Sequence, residues 1–227
     1  MTTKNARVEP GSPFPVSWNP DTTAMLCWTR NLASYADGYL QAGRLLADAV
    51  LEGRHVGKGL HDDLVLPIAF LYRHYVELRL KHLALMTREC LWKGATLHQD
   101  RNLRHAMEQL SVPDTHDLLC LWHILESLLA RLAPNPTKGT KTRLFRRVSV
   151  LANTDPVGDS FRYPFASRTR GRGKTLGDVQ RLDVAGLKAE LDALACALEA
   201  CHAAVAAHCE MVDHAYSETT RQVEPLH

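Results

Sequence analysis

LVLPIAFLYRHYVELRLKHLALMTRECLW, residues 64–92, decides the fold. Apolar residues recur through it at helical spacing without a glycine, and its one proline, Pro67, lies near the start, where a helix tolerates a kink. Arg73, Glu77 and Lys81 repeat every four residues and so share one face of the predicted helix. Ile68, Leu71, Tyr72, Tyr75, Val76 and Leu80 leave little polar surface around them, so the charged stripe enters the interior of a bundle with the rest of the helix. An unpaired buried ion costs several kcal/mol, and Glu77 between two cations offsets only part of their charge. The remaining cation calls for a phosphate, or for a carboxylate from elsewhere such as Asp117 or Glu126. The stripe therefore reads either as a buried ion-pair network that fixes helix register or as a catalytic or ligand-binding face.

Outward from this helix, the upstream chain breaks at Gly53, Gly57 and Gly59, and Asp62 or Asp63 opens the helix itself. Before the break, residues 21–52 contain no proline and carry Met25, Trp28, Leu32, Tyr35 and Tyr39 at helical spacing, with Asp21 or Thr22 as N-cap. Residues 1–20 hold Pro10, Pro13, Pro15 and Pro20 and form an N-terminal arm. Downstream, residues 93–113 read ambiguously. Asp114 or Thr115 caps a further helix, HDLLCLWHILESLLARLA (116–133), which Pro134 and Pro136 end. A shorter helix spans about 141–151. Residues 153–181 carry turn signals throughout and read as a long irregular loop with at most one short strand pair. Asp183 then opens a final, Ala-rich helix to about Tyr216, and 217–227 is a tail. The expectation is an all-α protein, an antiparallel four- to five-helix bundle forming one domain over 21–216.

Composition agrees with a sizeable core. Of the 227 residues, 45% are hydrophobic and 23% charged, which excludes wholesale disorder and a collagen-like chain. No window reaches the roughly 18 uncharged apolar residues of a membrane span and no secretory leader is visible, so a cytoplasmic protein without membrane association is expected. The six cysteines lie mostly in apolar helical patterns, which suits reduced thiols. Cys201 aligns with His208 and His202 with Cys209 along the last helix, but neither pair has a zinc-knuckle spacing, so core packing is expected there and neither metal nor cofactor. No Ser-His-Asp arrangement, nucleophile elbow or dinucleotide glycine signature is present.

The net charge of +2 hides an asymmetry: from Lys138 to Lys174 there are ten Lys or Arg and two acids, Asp155 and Asp159. Such an excess suits an anionic partner, although a solvated loop would also carry it. Within it, DPVGDSFRYP sets Arg162 between Phe161 and Tyr163. Arg162 could offer its planar fork to a phosphate while the aromatics stack, or the aromatics could simply anchor the loop. The adjacent RTRGRGK (Arg168, Arg170, Arg172, Lys174) looks like an RNA- or phosphate-binding loop rather than a Walker motif. His116 precedes a helix start, where the dipole would lower an imidazole pKa and keep it fit to act as a base; a capping-region role without chemistry is the other reading. His74 and His82 lie on a neighbouring face of the long helix and read as ordinary half-buried histidines.

FLYRHYVELRLKHL (70–83), followed by HDLLCLW (116–122), resembles the HEPN superfamily, helical-bundle proteins of prokaryotic toxin, antiviral and nucleotide-associated systems. In that superfamily a helix with Glu-x-x-x-Lys precedes a His-x-Leu helix start. The resemblance implies a homodimer that acts on RNA or a nucleotide-bearing ligand, with a partner protein of a toxin or defence system. Its strongest form is a metal-independent endoribonuclease, with Arg73, Glu77, Lys81 and His116 catalytic and Arg162, Tyr163, Arg168, Arg170, Arg172 and Lys174 binding phosphate. The alternative it leaves open is a non-catalytic module that binds RNA, a nucleotide or a partner protein. The chain departs from the family's Arg-x4–6-His motif: near the last helix only Arg181 is available, and the spacing recurs only in Arg54–His61, where His55 follows the arginine, and in Arg221–His227.

Overall fold

The computed structural model describes residues 32–53, 60–132, 141–162 and 182–223. They form six helices: α1 (Leu32–Leu51), α2 (Leu60–Leu97), α3 (Arg101–Gln109), α4 (Leu118–Leu129), α5 (Lys141–Thr154) and α6 (Val184–Val223). No strand occurs among the described residues, so the protein is all-α.

The 38-residue α2 is the axle, touching α1, α3, α4 and α6. Its sequence explains that position, because Ile68, Tyr72, Tyr75, Val76, Leu80 and Leu83 are buried on successive faces and no broad polar face remains for solvent. Pro67 falls in the early turns, and Asp62 and Asp63 sit in the first turn, where negative charge favours the helix dipole. Helix α1 buries Ala36, Leu40, Gly43, Ala47 and Val50, one narrow stripe. At Gly43 the two helices approach so closely that a Cβ would lie 3.0 Å from the Tyr72 ring. Gly43 meeting Tyr72 and Asp37 meeting Arg79 make α1 and α2 antiparallel.

By contrast α2 and α6 run parallel. Tyr72 meets Asp192, Tyr75 meets Ala195, His82 meets His202 and Lys93 meets Asp213, a constant separation of 120 residues. The three intervening helices bring the chain back to its starting end. Helix α5 packs on α4 and α6. The expected bundle therefore has more helices and a mixed topology. Residues 93–113 resolve into the end of α2 and the nine-residue α3, whose N-cap Asp100 accepts from the Leu103 amide.

Two other boundaries move. The α4 cap is Asp117, which accepts from the amides of Leu119 and Cys120, rather than Asp114 or Thr115. Asp183 does cap α6, but that helix continues to Val223, past the expected end at Tyr216. Contrary to the expectation that no window is, α6 is long and apolar enough, by length and composition alone, to cross a membrane. Its Leu191, Leu194, Leu198 and Val205 are buried in the bundle core. The expected arm, residues 1–20, and the centre of the basic loop lie outside the described residues. Cys90, Cys201 and Cys209 are buried free thiols, whereas Cys196 is exposed.

Candidate functional site

Arg73, Glu77 and Lys81 do stand on one face of α2, and their spacing of four brings them into contact. Arg73 donates to Glu77 Oε2 at 2.6 Å, and Lys81 Nζ donates to Glu77 Oε1 at 3.1 Å. Arg73 and Glu77 are only 1% and 2% exposed. The carboxylate that balances the second cation is neither Asp117 nor Glu126. Asp155, fully buried just after α5, faces Arg73 Nε at 3.1 Å as an ion pair, off-line for a hydrogen bond, while its Oδ1 accepts from the Ser160 amide. Lys81 also reaches Asp114 at 3.3 Å. The network thus holds two cations and three carboxylates, so each cation has a carboxylate partner within the protein.

His116 joins this network from the segment before α4. Its Nδ1 lies 2.9 Å from Glu77 Oε1, and its backbone carbonyl accepts from the second terminal nitrogen of Arg73. Burial by itself would push the Glu77 carboxyl up, but Lys81 and Arg73 outweigh it and hold the group below its ordinary range. Glu77 is therefore an acceptor, and Nδ1–H must donate to it; in the neutral ring the lone pair is then on Nε2. The His116 side chain is 52% exposed against 2% for Glu77. A buried carboxylate thus orients a half-exposed imidazole. His116 precedes the cap Asp117, so this carboxylate rather than the α4 amides engages its ring.

Arg162 approaches the same place through a turn. Gly158 has φ +78°, a backbone few side-chain-bearing residues adopt, and a Cβ there would stand 3.2 Å from the Arg73 guanidinium carbon and 3.4 Å from His116 Cβ. Arg162 Nε donates to the Gly158 carbonyl at 2.6 Å, its guanidinium pairs with Asp159 at 3.0 Å, and the group lies 5.8 Å above the Phe70 ring. The turn 155–162 therefore brings Asp155 to Arg73 and Gly158 to both Arg73 and His116, with Arg162 held by Gly158 and Asp159. Phe161, predicted to stack on a ligand or anchor the loop, is buried and belongs to the core. Tyr163, Arg168, Arg170, Arg172 and Lys174 lie outside the described residues.

His74, read from sequence as ordinary, borders this cluster. It stacks on Phe70 with ring centroids 5.7 Å apart and meets the edge of Tyr39. Burial lowers its pKa; Glu77 pulls the other way, and the charges of Arg73, His116 and Arg162 lower it further. One signal could have found it: His74 lies four residues after Phe70 and beside Arg73. Neither Arg-x-His spacing forms a described pair, because Arg54 and His227 lie outside the described residues. Among the described residues no three His, Cys, Asp or Glu side chains form a metal cage. Compared with protein-family models, with curated proteins and with solved structures, the chain finds no match.

Proposed function

We propose that this chain is a HEPN-like protein acting on RNA, and that it cleaves its substrate without a metal through His116. The observation that carries the reading is the Glu77–His116 pair, a half-exposed imidazole held through Nδ1 by a buried carboxylate. Its support from the resemblance is spatial as well: the Glu-x-x-x-Lys helix and the His-x-Leu helix start, 39 residues apart, meet in one site.

In this mechanism Nε2 of His116 removes the proton of a ribose 2′-hydroxyl, whose oxygen attacks the adjacent phosphorus while the 5′-oxygen departs and takes a proton from solvent. Glu77 keeps the ring in the productive tautomer and steadies the imidazolium that forms. Arg73 is closed to a ligand and acts as a positioning residue, holding Glu77 and the His116 backbone together. Arg162, at the rim, and the basic residues beyond it would meet the phosphates as charge develops. A homodimer, in a cytoplasmic toxin or defence system, belongs to the same proposal, and the exposed Leu45 and Leu51 of α1 suit a partner surface.

The second reading, a non-catalytic module with the stripe as a structural lock, draws support from the near-complete burial of Arg73 and Glu77. Labelled RNA incubated with the purified chain in EDTA separates them. Cleavage that disappears in His116→Ala supports the first; saturable binding without cleavage supports the second.

A further inference from the structure

The parallel register of α2 and α6 creates a second histidine cluster that the RNA site does not use. His82 and His202 stand opposite each other, Nε2 to Nε2 at 3.3 Å, with ring planes inclined by 49°. Both rings are half-buried. Two nitrogens bound to a tetrahedral zinc at 2.0–2.1 Å are separated by about 3.3 Å, so the spacing matches one edge of such a coordination shell.

The surroundings of the two rings carry both signs of charge. The Arg79 guanidinium, 1% exposed, pairs with Asp37 from α1 and, at 2.8 Å, with Glu199 from α6. Two carboxylates against one guanidinium leave one negative charge beside the rings. Glu199 and His202 are three residues apart and share a face of α6. Burial lowers both imidazole pKa values, Arg79 lowers them further, and Asp37 and Glu199 pull the other way. The rings are thereby kept in the neutral form that ligates metals.

We propose that His82 and His202 form a binding site for a tetrahedral divalent transition-metal ion of the zinc type, with both Nε2 atoms as ligands and water in the remaining positions. Imidazole suits Zn, Cu, Fe and Ni in preference to Mg or Ca, and a bound ion would tie α2 to α6 at mid-length. The site lies on a different face of α2 from Glu77, so RNA cleavage in EDTA and metal binding here stand or fall separately.

Calorimetric titration of the full chain with Zn2+ at pH 7.5, with thiols kept reduced, tests it. One ion per chain is expected, and His82→Gln or His202→Gln should each weaken binding by more than the roughly 10–100-fold that outer-shell changes cost. Cys90→Ser with Cys209→Ser should leave it intact. Unchanged affinity in either histidine variant, loss of binding in the cysteine variant, or no saturable binding at all would overturn the site. Should a variant fold poorly, 15N-histidine spectra of the wild-type chain decide: the Nε2 signals of two rings should shift together on adding Zn2+, and the absence of any shift among the twelve histidines rejects the proposal.

Discussion

The carboxylate of Asp155 stands 3.1 Å from Nε of Arg73, both side chains almost entirely out of water, although 82 residues separate them. This pairing turns the α2 stripe from a locally spaced triplet into a closed network that spans α2, the segment before α4 and the turn after α5. Removing its central carboxylate takes away the acceptor that Arg73 and Lys81 share and leaves the buried Arg73 with Asp155 as its one carboxylate partner in this network. Glu77→Ala should therefore destabilise the fold by about 3–5 kcal/mol, measured by urea unfolding with an unchanged m-value. A loss below 1 kcal/mol would show that Asp155 and Asp114 alone satisfy both cations.

Acid should act through the same carboxylate. Glu77 is held below its ordinary value of 4.5 in the folded chain. A group depressed in this way stabilises the fold at pH values above its unfolded value, and that stability is lost as pH falls below 4.5 and through the lower folded value. Unfolding free energy should thus decline across this window in the wild type and decline less in Glu77→Gln. Equal slopes for the two proteins would assign the acid sensitivity to other groups.

Gly158 is the tightest point in the backbone of the site. Replacing it with alanine imposes a side chain at φ +78° and sets a Cβ 3.2 Å from the Arg73 guanidinium. Gly158→Ala should lower stability by about 1–3 kcal/mol and disturb the His116 resonances in NMR spectra more than distant substitutions do. A variant as stable as wild type would mean that the turn shifts freely and does not fix the site.

Much of this was legible in the sequence, and the rest failed for identifiable reasons. The stripe Arg73, Glu77 and Lys81 follows from helical period alone, and its burial follows from the apolar residues around it. Asp155 did not follow, because it sits among turn residues far along the chain and only the packing of α5 brings it back. The Glu77–His116 contact has the same character: each residue stands out in the sequence, but nothing local shows that the α4 start lies against that face of α2. Asp114 and Thr115 resembled caps as much as Asp117 does, and only the amides of Leu119 and Cys120 decide among them. The nine-residue α3, polar apart from Leu103, Ala106 and Met107, is too short for periodicity to declare. His82 and His202 meet only because α2 and α6 are parallel, a relation that no pattern within either helix encodes.

Under the proposed function the arginines at 168, 170 and 172 act in binding rather than in folding. Arg168→Ala, Arg170→Ala and Arg172→Ala together should weaken RNA binding and flatten its salt dependence, since each lost phosphate contact reduces the slope by about one. Thermal stability should stay nearly unchanged. Fluorescence anisotropy across a salt series checks this; identical curves for wild type and the triple variant would remove the electrostatic support for an RNA partner.

The most direct measurement is cleavage of 5′-labelled RNA by the purified chain in EDTA, with the product termini identified. Fragments ending in 2′,3′-cyclic phosphate are expected, with a rate roughly 10²–10⁴-fold lower in His116→Ala and a smaller loss in Glu77→Gln, where the ring survives but its carboxylate partner does not. A wild-type chain that leaves RNA intact, or a His116→Ala variant that cleaves at the wild-type rate, would contradict cleavage through His116.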